Sequence, residues 1–192
     1  MSIKSHIQSI RERDAAKPSA MEVILCYPGF HALSIFHPLA HWFYKKNLRL
    51  LARVWAGAGR FVTGIEIHPG ATIGRNLFID HGMGVVIGET ATIGDDCTIY
   101  HGVTLGGRGG SKDGKRHPDI GSNVIIGTGA QVLGAVSVGD GALVGANSVV
   151  TENIPAGVSA MGVPAKILCK AGNDFCSYGI PEDAEILMQK KG

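Results

Sequence analysis

A chain of 192 residues, 45% of them hydrophobic, can bury a sizeable core as one large domain or a domain with an appendage. A net charge of +2 with 18% charged residues leaves no electrostatic footprint for nucleic acid, and the one dense basic run, 112–116, is too short for a duplex-binding face. No stretch approaches the roughly 18 apolar residues of a membrane span. The polar start MSIKSHIQSIRERD has no apolar signal region, and Cys26, Cys97, Cys169 and Cys176 lack metal-site spacing, so a soluble protein of the reducing cytoplasm is expected.

Residues 1–60 are predicted as a helical segment. Helix-like spacing covers roughly 3–10 and 32–56, the second through Leu33, Phe36, Leu39, Ala40, Phe43 and Tyr44 at i, i+3 and i+4 steps. Pro18 and a turn at Pro28 and Gly29 lie between them. Lys45, Lys46, Arg49 and Arg53 read as the solvated face of the second helix, against a membrane-surface role.

Within residues 61–165 the period changes. Aliphatics fall at every sixth position through Ile67, Ile73 and Ile79, then Ile87, Ile93, Ile99 and Leu105, then Ile120, Ile126, Val132, Val138, Val144 and Val150. Six fits neither the 3.6 of a helix nor the 2 of a simple strand; it fits a hexapeptide β-solenoid of either hand, with about 18 residues per coil. Roughly four coils are expected, stacked at about 4.8 Å. The 28 glycines gather here, where corners are expected to need positive φ. Flat outer faces of such a prism suit packing side by side into trimers. Residues 166–192, broken by Gly172, Gly179 and Pro181 before a short helix at 182–190, are predicted as a tail.

The beat fails twice. Ile79 to Ile87 is eight residues and holds DHGMG; Leu105 to Ile120 is fifteen and holds GGRGGSKDGKRHPD. A regular repeat has no stability reason to accept insertions, and solenoids place function in such loops. Each break carries a histidine beside an ionisable residue, Asp80 with His81 and Arg116 with His117. His81 reads either as a general base, with Glu66 nearly one coil back to fix its tautomer, or as a turn cap. His68 and His101 read as structural. A zinc reading, of the gamma carbonic anhydrase type, would use His81 and His101, but the neighbouring Asp, Glu and Arg suit an organic zwitterion better, and no metal is predicted.

The stretches GIEIHPGATIGRNLFIDHGMGVVIGETATIGDDCTIYHGVTLGG (64–107), KRHPDIGSNVIIGTGAQVLG (115–134) and AGVSAMGVPAKI (156–167), with RERDAAKPSAMEVILCYPGFHAL (11–33) upstream, resemble serine O-acetyltransferase. The resemblance implies a mainly β fold, a left-handed parallel β-helix with an N-terminal α-helical segment. It implies transfer of acetyl from acetyl-CoA, a co-substrate rather than a permanent cofactor, to the hydroxyl of L-serine, giving O-acetylserine for L-cysteine synthesis. By the same resemblance His81 is the general base and Glu66 orients it; Asp14, Asp80, Glu89, Arg116 and His117 form the serine pocket. Gly107, Thr128 and Ala146 line the pantetheine groove, and Lys166 meets phosphate near the adenosine end. Free serine is a zwitterion, so Asp14 and Asp80 can pair with its ammonium while Arg116 and His117 hold its carboxylate. L-cysteine, carrying the same charges, is expected to compete with serine. A homotrimer is expected, since only about seven residues precede the matched part. A complex with O-acetylserine sulfhydrylase is doubtful, because the chain ends Lys190, Lys191, Gly192 where family members often end in isoleucine. Competing readings are an acetyltransferase for a sugar or antibiotic, which would need neutral hydrogen-bonding groups in the pocket, and a non-catalytic hexapeptide scaffold.

Overall fold

A computed structural model describes residues 2–109 and 114–170. The predicted helix at 182–190, most of the predicted tail, and Lys112 lie outside the described residues.

Five α-helices precede the solenoid: α1 (Ile3–Arg13), α2 (Ala20–Cys26), α3 (Pro28–His31), α4 (His37–Lys45) and α5 (Arg49–Thr63). The sequence reading misses α2, a helix of 7 residues opened by a capping box. In it the Glu22 amide donates to Ser19 Oγ at 3.2 Å and the Ser19 amide to Glu22 Oε2 at 2.6 Å. Pro28 and Gly29 form no turn; Pro28 takes the first turn of α3, where its missing N–H costs nothing. A π-helical stretch, Ala32–Phe36, carries the chain directly from α3 into α4. The predicted helix over 32–56 is broken in two because Asn47 adopts φ 59° after α4 ends at Lys45. Gly64, at φ 71°, caps α5 as a left-handed terminator. No single helix among the described residues is long and apolar enough to cross a membrane.

The six-residue beat builds three faces. The first stacks Glu66–Ile67, Val86–Ile87, Thr104–Gly106, Gln131–Leu133 and Val149–Val150; the second stacks Thr72–Ile73, Thr92–Ile93, Asp119–Ile120 and Ser137–Val138. The third stacks Phe78–Ile79, Thr98–Ile99, Ile125–Ile126, Leu143–Val144 and Val158–Met161, all parallel. The second residue of each short strand points inward, so Ile87, Leu105, Val132, Ile93, Ile120, Ile99, Ile126 and Val144 join one continuous buried core. Pairing register records both insertions. Arg75 faces Asp95 across 20 positions, Thr90 faces His117 across 27, and Ser122 faces Asp140 across the uninterrupted 18. The surplus chain is therefore extruded at corners, and the ladders stay in register.

The glycine that follows the inward aliphatic does not supply positive φ. A Cβ on Gly127 would come within 2.7 Å of the Ala146 amide nitrogen in the next coil, so glycine is needed there for close stacking. Positive φ falls two residues later, at Gly129 and Asn147, and along a column of Asn76, Asp96 and Asn123. Asn and Asp tolerate this conformation better than other side-chain-bearing residues.

The helices close the N-terminal end of the prism, where Ala32 and Leu33 join its core. A second small core of Ile10, Val23, Phe30 and Phe78 seats α1, α2 and α3 on the third face. Arg13 clamps this seat, bonding Cys97 O at 2.8 Å and stacking 5.6 Å from the Phe78 ring. At the other end, Lys166–Lys170, read from sequence as the start of the tail, pairs antiparallel with Val158–Met161.

Candidate active site

The corner between the third and first faces, here the histidine edge, begins where the strand Phe78–Ile79 runs out into Asp80. The surplus residues make a tight turn, with the Gly82 amide donating to Asp80 O at 2.6 Å and His81 forced to φ 57°. A Cβ on Gly82 would strike Ile65, so the bulge is packed against the prism. His81 is left largely in solvent, its side chain 75% exposed, with Nε2 3.9 Å from Asp80 Oδ1. His101, one coil along, meets the His81 ring edge-on at 5.8 Å.

Asp14, at the end of α1, joins this edge from above. Its Oδ1 accepts from the Ala16 amide at 2.8 Å, and its Oδ2 accepts from the Tyr27 hydroxyl at 2.5 Å. Burial raises the Tyr27 phenol well above its ordinary value; the Asp14 hydrogen bond and the nearby charges of Asp14, Asp80 and Glu22 add to the shift. Asp14, Tyr27 and Asp80 thus share one locality. Backbone hydrogen bonds then run down the edge, from the Gly102 amide to Met83 O and from the Gly129 amide to His101 O, both at 2.9 Å, and from the Asn147 amide to Thr128 O at 2.7 Å. Thr128 and Ala146 therefore continue the line that His81 and His101 begin, and Lys166 opens the strand pairing with Met161 at its end.

The corner between the first and second faces, the arginine edge, holds the rest. The long insertion returns through Lys115, whose Nζ bonds Thr90 O and Asp119 Oδ1, both at 2.6 Å. The Arg116 and His117 amides donate to Thr90 Oγ1 at 3.1 and 3.2 Å. His117 Nδ1 accepts from the Thr90 amide at 3.1 Å, which leaves Nε2 as the protonated nitrogen. Burial, then Arg116, lowers the His117 pKa, so the ring offers a neutral N–H donor. Glu89 accepts from the Tyr44 hydroxyl at 3.0 Å and lies 3.5 Å from Arg116 Nη2. The Tyr44 hydrogen bond, more than the nearby cations, holds the Glu89 carboxyl below its usual range. Gly107 also sits here, since a Cβ on it would lie 3.3 Å from His117 Nε2.

The residues predicted as one pocket are thus divided between two edges, with the first face between them. Glu66 lies on that face, its carboxylate 3.0 Å from Arg60 Nη1 of α5. The predicted pairing of Glu66 with His81 is not formed in the single chain, because Arg60, near the end of α5, takes the carboxylate first. Among the described residues, no group of three or more His, Cys, Asp or Glu side chains gathers as metal ligands. Tyr27, Tyr44 and Thr90 are the site neighbours that sequence reasoning misses.

Two repeat families match the chain, the bacterial transferase hexapeptide (six repeats) over residues 117–152 and the hexapeptide repeat of succinyl-transferase over residues 84–108. Serine acetyltransferase of Mycobacterium tuberculosis is 53% identical over 181 residues, 94% of this chain and 77% of the relative. Serine acetyltransferase of Helicobacter pylori strain J99 is 55% identical over 164 residues, 85% of this chain and 95% of the relative. The chain belongs to the serine acetyltransferase family. A solved serine acetyltransferase from Neisseria gonorrhoeae matches with a TM-score of 0.85 at 38% identity over 89% of this chain, which spans 65% of that protein's length. The left-handed parallel β-helix and the acyltransferase class expected from the sequence both stand. Solved serine acetyltransferases include one from Brucella abortus strain S19 in complex with coenzyme A and others in complex with serine or cysteine.

Proposed function

We propose that this serine acetyltransferase family member moves acetyl from acetyl-CoA to the L-serine hydroxyl with His81 as general base, and that its site is completed between subunits of a homotrimer. The observation that carries this reading is the division of charge between the two edges. The histidine edge gathers the carboxylates Asp14 and Asp80 with His81; the arginine edge gathers Arg116 and the His117 N–H donor. Among the described residues the histidine edge brings no arginine or lysine to Asp14 and Asp80, and on the arginine edge Glu89 is already engaged by Tyr44 and Arg116, so each edge offers a partner to one end of a zwitterion. A side of six residues at about 3.3 Å each leaves the edges up to roughly 20 Å apart within one chain. Threefold packing about the first face brings the histidine edge of one subunit against the arginine edge of the next.

In that site Asp14 and Asp80 take the serine ammonium, and Arg116 and His117 take the carboxylate by charge-assisted hydrogen bonds. Glu89 keeps Arg116 aimed. His81 removes the hydroxyl proton as the serine oxygen attacks the thioester carbonyl. The tetrahedral intermediate collapses, the carbon–sulfur bond breaks, and the imidazolium returns its proton to the CoA thiolate. Transfer is direct, since among the described residues no serine or cysteine nucleophile stands beside a base in this site. Glu66 orients His81 once it leaves Arg60, and that exchange is cheap, because an exposed ion pair of this kind is worth about 0–1 kcal/mol. Thr128, Ala146 and Lys166 receive the pantetheine arm and phosphate along the histidine edge, and Gly107 of the next subunit lines the other wall. The coenzyme A, serine and cysteine complexes of relatives support these ligands. The product serves L-cysteine synthesis in the cytoplasm, and L-cysteine competes with L-serine.

The test is CoA release from acetyl-CoA with L-serine, with other amino acids and with sugars, for wild type and His81→Ala. Serine-dependent release that His81→Ala loses is the expected result. Release driven by a sugar and not by serine overturns the substrate, and turnover unchanged in His81→Ala overturns the mechanism.

A further inference from the structure

The carboxylate assigned to the serine ammonium sits at a helix end. Asp14 caps the C-terminus of α1, where a short side chain normally moves with the fraying chain. Here both its oxygens are taken, Oδ1 by the Ala16 amide at 2.8 Å and Oδ2 by the Tyr27 hydroxyl at 2.5 Å. The hydroxyl contact is in the short range typical of O–H donation to an ionised acceptor.

Tyr27 is itself immobilised. It occupies the bend between α2 and α3, and its ring packs against the small core of Ile10, Val23, Phe30 and Phe78. Two residues on, Gly29 lies so tightly on Ile79 that a Cβ there would be buried in the Ile79 carbonyl oxygen. Ile79 is the last residue before Asp80 and His81. The bend bearing Tyr27 and the turn bearing the proposed base are therefore packed against each other through Ile79. Asp80 also lies close enough to act electrostatically on the phenol.

On the serine-binding reading above, we infer that Tyr27 is a positioning residue that fixes the Asp14 carboxylate beside Asp80, so that the two together receive the substrate ammonium. A neutral phenol suits the task. It donates a proton to Asp14 without cancelling the negative charge the ammonium needs, and burial keeps it protonated throughout the working range. An unheld Asp14 would turn outward to water and away from the like charge of Asp80. The pocket would then lose ammonium affinity while His81 and the thioester path stayed as they are.

The test compares wild type, Tyr27→Phe, Asp14→Asn and the double variant by steady-state kinetics, by calorimetric binding of L-serine, and by thermal melts. Tyr27→Phe keeps the ring in its apolar seat, so its melting temperature is expected to stay near that of wild type. Its KM for L-serine is expected to rise about 10-fold, the loss expected for one hydrogen bond to an ionised group. Its kcat and its KM for acetyl-CoA should stay within about twofold. Added to Asp14→Asn, Tyr27→Phe should change little, because the residue acts through Asp14. An unchanged serine KM, an equal loss in kcat, or full additivity with Asp14→Asn overturns the inference. If wild type binds L-serine without releasing CoA, the activity fails and the calorimetric ratio of wild type to Tyr27→Phe still decides the role of Tyr27. If wild type does not bind L-serine, both fall.

Discussion

His81 carries its imidazole on a backbone that side-chain-bearing residues avoid, with φ 57°. Such a conformation costs about 1–2 kcal/mol for a residue with a Cβ and almost nothing for glycine. The surplus residues of the bulge impose it, and it aims the side chain out of the prism toward solvent. His81→Gly is thus expected to be more stable than His81→Ala by about 1 kcal/mol, while both lose CoA release by at least about 100-fold. Melting curves and turnover on the same two proteins check this, and equal stabilities would show that the turn relaxes once the ring is gone. A second single-atom change reaches the arginine edge. A Cβ on Gly88 would occupy the space of the His117 ring, so Gly88→Ala must turn that ring off Thr90. The serine KM is expected to rise about 10-fold with little loss of melting temperature, because the ring can swing where backbone could not. An unchanged KM in steady-state assays would remove His117 from the carboxylate site. Gly94→Ala makes the contrast, since its Cβ would meet the Gly121 backbone at 2.6 Å and the coils themselves would have to part.

Helices and coils differ in how openly the sequence announces them, and the difference is physical. The coil beat is legible because its cause is local. Each aliphatic faces the core, and the next is one side of the prism away. The bulge and the long insertion are legible for the same reason, as failures of that beat. Helix α2 hides because seven residues give too little period, although Ser19 and Glu22 at capping-box spacing mark its start. The break at Asn47 is hidden because apolar spacing continues through it. Tyr44 reads as an ordinary helix-face residue and Tyr27 falls outside both predicted helical stretches, and only folding brings Tyr27 to Asp14 and Tyr44 to Glu89, 45 positions away. The helical lid also carries a pH dependence that no sequence pattern shows. Burial, aided by His41, pushes the His37 imidazole down to about 4. The unfolded chain takes up this proton near pH 6.5, whereas the folded chain refuses it until about pH 4. Stability from this group is therefore complete above pH 6.5, and about 3 kcal/mol is lost as the pH falls across that window. Burial lowers His6, His68 and His117 in the same direction. Melting temperature measured from pH 7 to 4.5 should fall less steeply in His37→Leu than in wild type; parallel curves would show that His37 is not the group responsible.

Nothing in a single prism explains why the outer surface of its first face is so plain. Below Glu66 that surface carries Val86, Thr104, Gln131 and Val149, all partly buried and none charged, while the charged groups of the site crowd the two edges beside it. Such a surface fits threefold contact with copies of itself, and cyclic packing of that kind sets one edge of each subunit against the other edge of its neighbour. The proposed site then belongs to pairs of subunits, which gives it a property that a self-contained site cannot have. His81→Ala leaves the arginine edge intact, and Arg116→Ala leaves the histidine edge intact. Each variant alone is expected to be nearly inactive with L-serine. When the two are unfolded together in equal amounts and refolded, three quarters of the trimers are mixed, and every mixed trimer has one of its three interfaces with both residues wild type. Restored CoA release should therefore approach about one quarter of the wild-type value, with the rest of the sites silent. Sedimentation of the refolded mixture should show one species at three times the chain mass. Recovery near zero in a mixture that has refolded as trimers would mean that His81 and Arg116 serve the same subunit, and that the two edges communicate across the first face of a single chain.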